Sequence, residues 1–179
     1  NGGDGFVVAR LLKEWGGEVD VFLYGDPERM PPDARVNYER WVEMGGVARS
    51  WTDFEASFQF NREVRRLRPD LPFGSKFDLL IDALFGIGLT RPVEYRALAF
   101  VDLAFDLKMN TEGKTVCIDL PSGICADSGR PLGRSVTPWP EHRSNYPIDQ
   151  PFDLCVTFHR KKLAHFLFIG ATLAAKLRI

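Results

Sequence analysis

The chain has 179 residues, of which 23 are Lys or Arg and 24 are Asp or Glu, so its formal net charge is −1. Hydrophobic residues make up 45% and charged residues 26%, which is ordinary for a globular protein. This composition excludes a disordered chain, a collagen-like chain and a basic nucleic-acid tail. The length suits one domain with a single core, or at most a tight pair of lobes.

The three cysteines are an odd number without a CxxC motif, and the three histidines show no zinc spacing. We interpret Cys117, Cys125 and Cys155 as small buried hydrophobes in a reducing compartment, and we expect a cytoplasmic protein. The apolar stretch 163–175 is shorter than the roughly 20 residues of a spanning helix, and no signal peptide is visible. Because the first residue is not Met and already lies in a glycine-rich motif, we expect a trimmed fragment.

In the first third of the chain, apolar periodicity and glycine pairs predict alternating helices and strands. A tight glycine-rich loop at 1–5 is expected to precede them. Two helices, each ended by a glycine pair, are predicted at 6–15 and 33–44. Two strands are predicted at 18–24 and 47–51, and Asp53 is expected to cap a third helix.

Further along, three nearly continuous apolar segments are typical of strands buried on both faces: 77–85, 114–120 and 152–158. A helix that opens at Pro92 separates the first two. Strands that alternate with helices predict an α/β fold with a mostly parallel sheet. The long Pro-rich loop 131–151 is either a lid over a site or an ordinary surface excursion.

Ligands of an open parallel sheet bind beyond the carboxyl ends of its strands, where three loops of this chain are expected. The first is the segment Asn-Gly-Gly-Asp-Gly at 1–5. Its glycines and the helix N-terminus behind it suit a phosphate, although a capped turn without a ligand would have the same sequence.

The other two loops each begin with an acid at the end of a buried strand. Asp82 needs a cation or hydrogen-bond donors, and it would either face the crevice or cap neighbouring N–H groups. Asp119 ends the next strand and is followed by a Pro-Ser-Gly turn at 121–123. The chain has no P-loop, no GxGxxG fingerprint and no GxSxG nucleophile elbow.

In chain order, the segments 1–5, 82–86, 119–129 and 156–162 resemble the NAD(P)H-hydrate epimerase family, the YjeF N-terminal domain. The resemblance covers nearly the whole chain. It implies a three-layer αβα Rossmann-like sandwich and a single domain at 1–179, truncated at both ends, with a last strand expected beyond Ile179. Members interconvert the R and S hydrates of NADH and NADPH (NADHX and NADPHX), and a fused or separate dehydratase then repairs the S form. Homodimers are common in the family.

The resemblance also implies roles for individual residues. Asp119 would be the acid/base, and a potassium ion (K+) would be held by Asn1, Asp82 and Ser122. The hydrate would contact Asp119 and two loops, whose residues are Asn1, Gly2, Gly3, Asp4, Gly86, Ile87, Gly88, Leu89, Thr90, Arg91 and Pro92. The basic residues 160–162 would either attract phosphate at this edge or form a solvated loop.

Two other functions stay open at this point. One is a non-catalytic YjeF-like scaffold or ligand-binding module, and the other is a phosphosugar- or nucleotide-binding enzyme of another class, which rests on fold analogy alone. Two costly acids at strand ends favour chemistry over a scaffold. The charge balance leads us to expect neither a nucleic acid nor a membrane as partner.

Overall fold

The computed structural model describes residues 2–56, 77–91, 113–130, 132, 152–167 and 174–179. The chain forms two compact units, Asn1–Pro72 and Phe73–Ile179. The predictions for Asn1, for the helix that opens at Pro92 and for nearly all of the loop 131–151 lie outside the described residues. None of the described helices has the length and apolar character of a membrane span.

The first unit consists of packed helices and a pair of parallel strands. Helix α1 (Gly2–Glu14) packs against helix α2 (Pro32–Glu43). Strands β1 (Val21–Leu23) and β2 (Ala48–Ser50) pair in parallel, with Val21 opposite Ala48. Each strand therefore follows a helix, as the alternating pattern predicts.

The core of this unit forms where the apolar faces of the two helices meet. Phe6 and Ala9 of α1 and Trp41 of α2 are buried together. The rings of Phe6 and Tyr38 meet edge to face, with their centroids 5.4 Å apart. This is the favoured arrangement of an aromatic pair, and it fixes how the two helices pack.

Both helices end at the glycine pairs that the sequence points to. After α1, the N–H of Gly17 donates to the carbonyl of Leu12 at 2.9 Å, and Gly16 takes a left-handed φ of 87°. Gly46 and Gly45 repeat this pattern after α2, with a φ of 75° at Gly45. These are Schellman caps, in which glycine adopts the left-handed conformation at little cost.

The starts of two helices differ from the sequence-based expectation. Residues 2–5 are not a loop but the first turn of α1, where a Cβ on Gly3 would lie only 3.2 Å from the Cα of Ala34. Residues 51–56 are helical, and Ser50 rather than Asp53 caps them. The Ser50 hydroxyl oxygen accepts the Asp53 N–H at 3.2 Å, and the Asp53 carboxylate accepts the Ser50 N–H at 3.1 Å. In this capping box the acid belongs inside the helix.

The second unit contains a four-stranded parallel sheet. Its strands are β3 (Leu79–Asp82), β4 (Lys114–Ile118), β5 (Leu154–Val156) and β6 (Leu177–Arg178), and they lie side by side in that order. Every described strand pair in both units is parallel, which confirms the α/β class and the Rossmann-like expectation. The carboxyl ends of β3, β4 and β5 lie next to one another at one edge.

Strand β6 was missed by the sequence analysis, which expected the last strand beyond Ile179. The Cys155 N–H donates to the Lys176 carbonyl at 2.8 Å, and the Thr157 N–H donates to the Arg178 carbonyl at 2.9 Å. A two-residue strand is too short to show alternating apolar and polar residues. Pairing through main-chain hydrogen bonds also does not require particular side chains. The short strand was therefore not visible in the sequence.

A small apolar cluster supports the turns that follow β4. Leu120, Ile124 and Ala164 are buried together, and the Ala164 N–H donates to the Ala126 carbonyl at 2.8 Å. Gly129 closes this region with a left-handed φ of 67°, and its N–H donates to the Cys125 carbonyl. The cluster fastens the segment around residue 164 to the turn that carries Asp119.

We expect Gly129→Ala to destabilise the folded chain by roughly 2–5 kcal/mol. A Cβ at this position would collide with the Leu167 carbonyl, and alanine disfavours the left-handed φ. Gly88→Ala is the matched control, because a Cβ there meets nothing within 4 Å. Chemical denaturation of both variants measures the difference, and equal losses would contradict the expectation.

Candidate active site

Asp82, the last residue of β3, is completely buried and bonded to the turn after β4. Its Oδ2 accepts the Ser122 N–H at 2.7 Å, and its Oδ1 accepts the Ser122 hydroxyl at 2.5 Å. The Leu84 N–H is a third donor, 3.2 Å from Oδ1. The Ser122 hydroxyl oxygen in turn accepts the Phe85 N–H at 3.0 Å. The carboxylate therefore holds together the two turns that follow β3 and β4.

No basic side chain of the described residues balances the charge of Asp82. Burial raises the pKa of this carboxyl above its ordinary value, and the hydrogen bonds from Ser122 and Leu84 oppose the rise. Neutral donors satisfy its lone pairs but leave a buried charge uncompensated. Carboxylate and hydroxyl oxygens together are a donor set that suits a hard cation.

Asp119 occupies a strained turn directly after β4. Its N–H continues the pairing with β5 by donating to the Val156 carbonyl at 2.6 Å. The next amide, that of Leu120, donates back to the Ile118 carbonyl at 2.9 Å and closes a three-residue turn with Asp119 at its centre. The φ of Asp119 is 68°, and a γ-turn of this hand is rare. Such strain collects at functional sites, so the turn marks Asp119 as a candidate reactive group.

The carboxylate of Asp119 forms an ion pair with Lys162. The Lys162 Nζ lies 2.7 Å from Oδ1, and the Thr157 hydroxyl donates to the same oxygen at 3.0 Å. The ammonium also donates to the Thr157 hydroxyl oxygen at 2.9 Å and to the Phe158 carbonyl at 3.0 Å, so its three protons are all used. Within the described part of the chain, Oδ2 accepts no hydrogen bond. Among these residues Oδ2 thus has no hydrogen-bond donor, although the Asp119 side chain is only 6% exposed.

The three basic residues 160–162 therefore differ in their surroundings. Arg160 and Lys161 are exposed, whereas the side chain of Lys162 is only 18% exposed. Lys162 is directed at Asp119 rather than at solvent. The sequence-based alternatives did not include this pairing.

Two buried thiols lie behind Asp119. Cys117 of β4 and Cys155 of β5 are register partners, and both are almost fully buried. A hydrogen bond from the Cys117 thiol lowers the pKa of Cys155 to about 6, His165 adds a smaller effect, and burial opposes both. Burial raises the pKa of Cys117 well above its ordinary value. As the pH rises, Cys155 therefore loses its proton before Cys117 does.

The loop after Asp82 carries most of the other predicted contacts. The Leu89 N–H donates to the Gly86 carbonyl at 3.1 Å and closes a turn. Its neighbours are exposed, namely Ile87, Gly88, Thr90 and Arg91, while Pro92 lies outside the described residues. The loop begins at Phe85, whose N–H is held by Ser122.

The remaining predicted contacts belong to the first unit. Gly2, Gly3 and Asp4 form the first turn of α1, and Asn1 lies outside the described residues. The second unit by itself brings Asp82, Ser122 and Asp119 to one edge of the sheet.

A family model described as YjeF-related protein N-terminus matches residues 1–162. The chain belongs to this family. It is similar to a protein named NAD(P)H-hydrate epimerase from Rhodobacter capsulatus, with 41% identity over 166 residues that cover 92% of this chain and 61% of the relative. A protein of the same name from Roseobacter litoralis is 38% identical over 165 residues, which cover 92% of this chain and 65% of that protein.

A longer relative carries the name bifunctional NAD(P)H-hydrate repair enzyme. This protein, from Thermofilum pendens, is 35% identical over 182 residues, which cover 100% of this chain and 29% of the relative. The chain thus spans less than two thirds of the length of each of these three family members.

Two residues of this candidate site received no role from the sequence. Thr157 appeared only within the family match, although a polar residue at the end of the apolar segment 152–158 is the same signal that drew attention to Asp82 and Asp119. His165 ends a three-residue 3₁₀ helix, which is too short to show a periodic pattern that would connect it with a strand end. Only the folded chain brings it to Asp119.

We expect a spectroscopic titration to find a thiolate with a pKa of about 6, belonging to Cys155. Ultraviolet absorbance of the thiolate measures it in a Cys125→Ala background, because a hydrogen bond from Ser128 also lowers the pKa of Cys125. The folded chain releases this proton at lower pH than the unfolded chain does. The contribution to stability therefore grows as the pH rises above about 6 and is lost as the pH falls through that value.

Cys117→Ala removes the donor and should raise the pKa of Cys155 towards its ordinary value. Cys117→Ser is the matched control, since it keeps a donor of similar size and should raise the pKa less. A titration that stays near 6 in Cys117→Ala would show that Cys117 is not the cause.

Proposed function

We propose that this chain interconverts the R and S hydrates of NADH and NADPH at C6 of the nicotinamide ring. The observation that carries the proposal is the ion pair between Lys162 and Asp119, whose buried carboxylate sits in a strained turn at the carboxyl ends of the strands, where ligands of such sheets bind. The names of the relatives from Rhodobacter capsulatus and Roseobacter litoralis support the same reaction. We place the reaction in the cytoplasm, a compartment in which the three free thiols would stay reduced.

The reaction requires one proton to be given and one to be taken back. The lone pair of the ring nitrogen expels the C6 hydroxyl, which receives a proton and leaves as water. Water then attacks the flat iminium from the other face and loses a proton. The proton given to the leaving hydroxyl is balanced by the proton taken from the incoming water, so the acid/base group ends in the form in which it began.

Asp119 and Lys162 meet this requirement. Oδ1 of Asp119 is anchored by Lys162 and Thr157, so the turn holds the carboxyl group with Oδ2 free to exchange a proton with the substrate oxygen. The ammonium stays beside the carboxylate when Asp119 gives up its proton, so the negative charge that forms there has a fixed partner. Lys162 and Thr157 therefore orient and balance the group that carries out the proton transfer.

A potassium ion is the second part of the proposal. Asp82 fits such an ion, because it is a fully buried carboxylate with no basic partner among the described residues and with the Ser122 hydroxyl bonded to it. Asp82 and Ser122 would hold the ion together with Asn1, the third residue that the family resemblance implies. When bound, the ion would supply the positive charge that this buried site otherwise lacks.

Two glycine-containing segments would bind the rest of the hydrate. In the loop at 86–92, Ile87, Gly88, Thr90 and Arg91 are exposed, and the loop is joined to the Asp82–Ser122 hydrogen bonds through the Phe85 N–H. By the family resemblance, the first turn of α1 at residues 2–4 would bind a phosphate, because the N–H groups of a helix's first turn have no partner within the helix. The S hydrate would then pass to a dehydratase, fused or separate, in line with the name of the bifunctional relative.

We expect Asp119→Asn to lower the rate of epimerisation roughly 10²–10⁴-fold. Asparagine tolerates a left-handed φ almost as well as aspartate, so the turn should persist while the proton carrier is lost. Consumption of the R hydrate, above its spontaneous rate and in the presence of an S-specific dehydratase, measures the activity.

Asp127→Asn is the control: it makes the same substitution at an exposed position and should keep the parent rate. Thermal unfolding of both variants checks that the fold is intact. A parent rate in Asp119→Asn would refute the assignment. A well-folded parent chain without turnover would instead favour the non-catalytic module.

We expect potassium chloride to raise the unfolding midpoint above that in tetramethylammonium chloride of equal ionic strength. Binding at 100 times Kd would stabilise the folded state by about 2.7 kcal/mol. Asp82→Asn should lose this increment and Ser122→Ala should reduce it, whereas Asp78→Asn, an exposed acid just before β3, should retain it. An increment that is zero in the parent, or equal in all four proteins, would contradict the ion site.

A further inference from the structure

His165 contacts the main chains of both residues of the ion pair. Its Nδ1 lies 2.9 Å from the backbone nitrogen of Lys162, and its Nε2 lies 2.8 Å from the carbonyl oxygen of Asp119. The side chains of these two residues meet at 2.7 Å. His165 therefore forms a second link between the same two residues, made through their backbones.

The two backbone groups determine which nitrogen of the neutral ring carries the proton. The Lys162 N–H can only donate, so Nδ1 has to accept and carries no proton. The Asp119 carbonyl can only accept, so Nε2 carries the proton and donates it. A neutral imidazole with its proton on Nε2 is the one form that satisfies both contacts.

The position of His165 is itself fixed by packing. It ends the short 3₁₀ helix Leu163–His165, in which the buried Ala164 donates its N–H to the Ala126 carbonyl. Its own N–H donates to the Lys162 carbonyl at 3.1 Å. The imidazole is thus attached to the core cluster that lies beneath the Asp119 turn.

The contact with Asp119 falls on the strained part of the chain. The Asp119 carbonyl follows directly on the left-handed φ of 68°. The Cys155 sulfur lies 3.4 Å from the same oxygen and 3.7 Å from Nε2, farther than the 2.8 Å from Nε2 to the carbonyl oxygen. Because Nε2 is directed at this carbonyl and not at the carboxylate, His165 does not touch the atoms that would react. Its contribution has to act through Asp119 and Lys162.

We propose that His165 is a positioning residue that holds the turn of Asp119 and the backbone of Lys162 in the geometry of their ion pair. This inference rests on the proposed epimerase function for its effect on rate, and on the geometry alone for its protonation state. Misplacement of a reacting group by about 1 Å can cost about 10²-fold in rate. Loss of this link should therefore lower kcat more than it changes KM.

The first test is nuclear magnetic resonance of the parent chain labelled with ¹⁵N-histidine. We expect His165 at neutral pH to be the Nε2–H tautomer, with an unprotonated Nδ1 and a slowly exchanging Nε2 proton. An Nδ1–H tautomer, or an imidazole that exchanges like a surface side chain, would overturn the proposal. This readout does not depend on turnover.

The second test is a set of variants assayed for epimerisation of the R hydrate. His165→Leu removes both hydrogen bonds and should lower kcat about 10–100-fold. His165→Asn retains an acceptor for the Lys162 N–H and should recover part of that loss. His159→Asn is the matched control, because His159 is exposed and also has a left-handed φ, 62°, that asparagine tolerates.

The two tests separate the possible failures. A parental kcat in His165→Leu, or a loss that disappears once the folded fraction is taken into account, would show a merely structural histidine and overturn the proposal. A parent chain that does not epimerise would refute the proposed function, and the tautomer measurement would still decide whether His165 links the two backbones.

Discussion

A fully buried carboxylate has to be satisfied by its surroundings, and at Asp82 the partner comes from a different strand connection. Ser122 supplies both its N–H and its hydroxyl, so the turn after β4 cannot move away from the end of β3 without leaving a buried charge unsolvated. Losing donors to such a group costs far more than an average hydrogen bond contributes. The positions of both turns depend on this interaction.

Asp119 lies in the same turn, three residues before Ser122. The hydrogen bonds that satisfy Asp82 therefore also fix the position of Asp119. Asp119 is also held by the β5 side of the sheet: its carboxylate pairs with Lys162, and its backbone carbonyl contacts His165. The candidate reactive group is therefore fixed from two sides by polar contacts, and its turn also rests on the apolar cluster of Leu120, Ile124 and Ala164. Such polar contacts depend on direction, and they restrain the carboxyl group in orientation as well as in position.

The sequence was informative where a polar residue interrupts an apolar pattern. Asp82 and Asp119 stand out because each ends a nearly continuous apolar strand, and parallel topology then brings their turns to one edge. The glycine pairs at 16–17 and 45–46 predicted the helix ends, because a Schellman cap is a local event. The start of α1 was misjudged because close packing on Ala34 can outweigh the low helix propensity of glycine.

What the sequence could not predict depends on contacts between distant residues. Lys162 lies 43 positions from Asp119, in a segment whose pattern looks like any basic loop, and only the pairing of β4 with β5 brings the two together. Strand β6 is defined by main-chain bonds alone, which no side-chain pattern records. The role of His165 likewise depends on two backbone groups, so neither its type nor its spacing could reveal it.

The backbone of Asp119 also restricts what evolution can place there. The left-handed φ of Asp119 costs little energy for Gly, Asn and Asp but is unfavourable for most other residues, including Glu. Of the residues that the turn accepts readily, only one has a carboxyl group. Aspartate and glutamate often replace one another in proteins, but glutamate at position 119 would require a different backbone conformation of the turn.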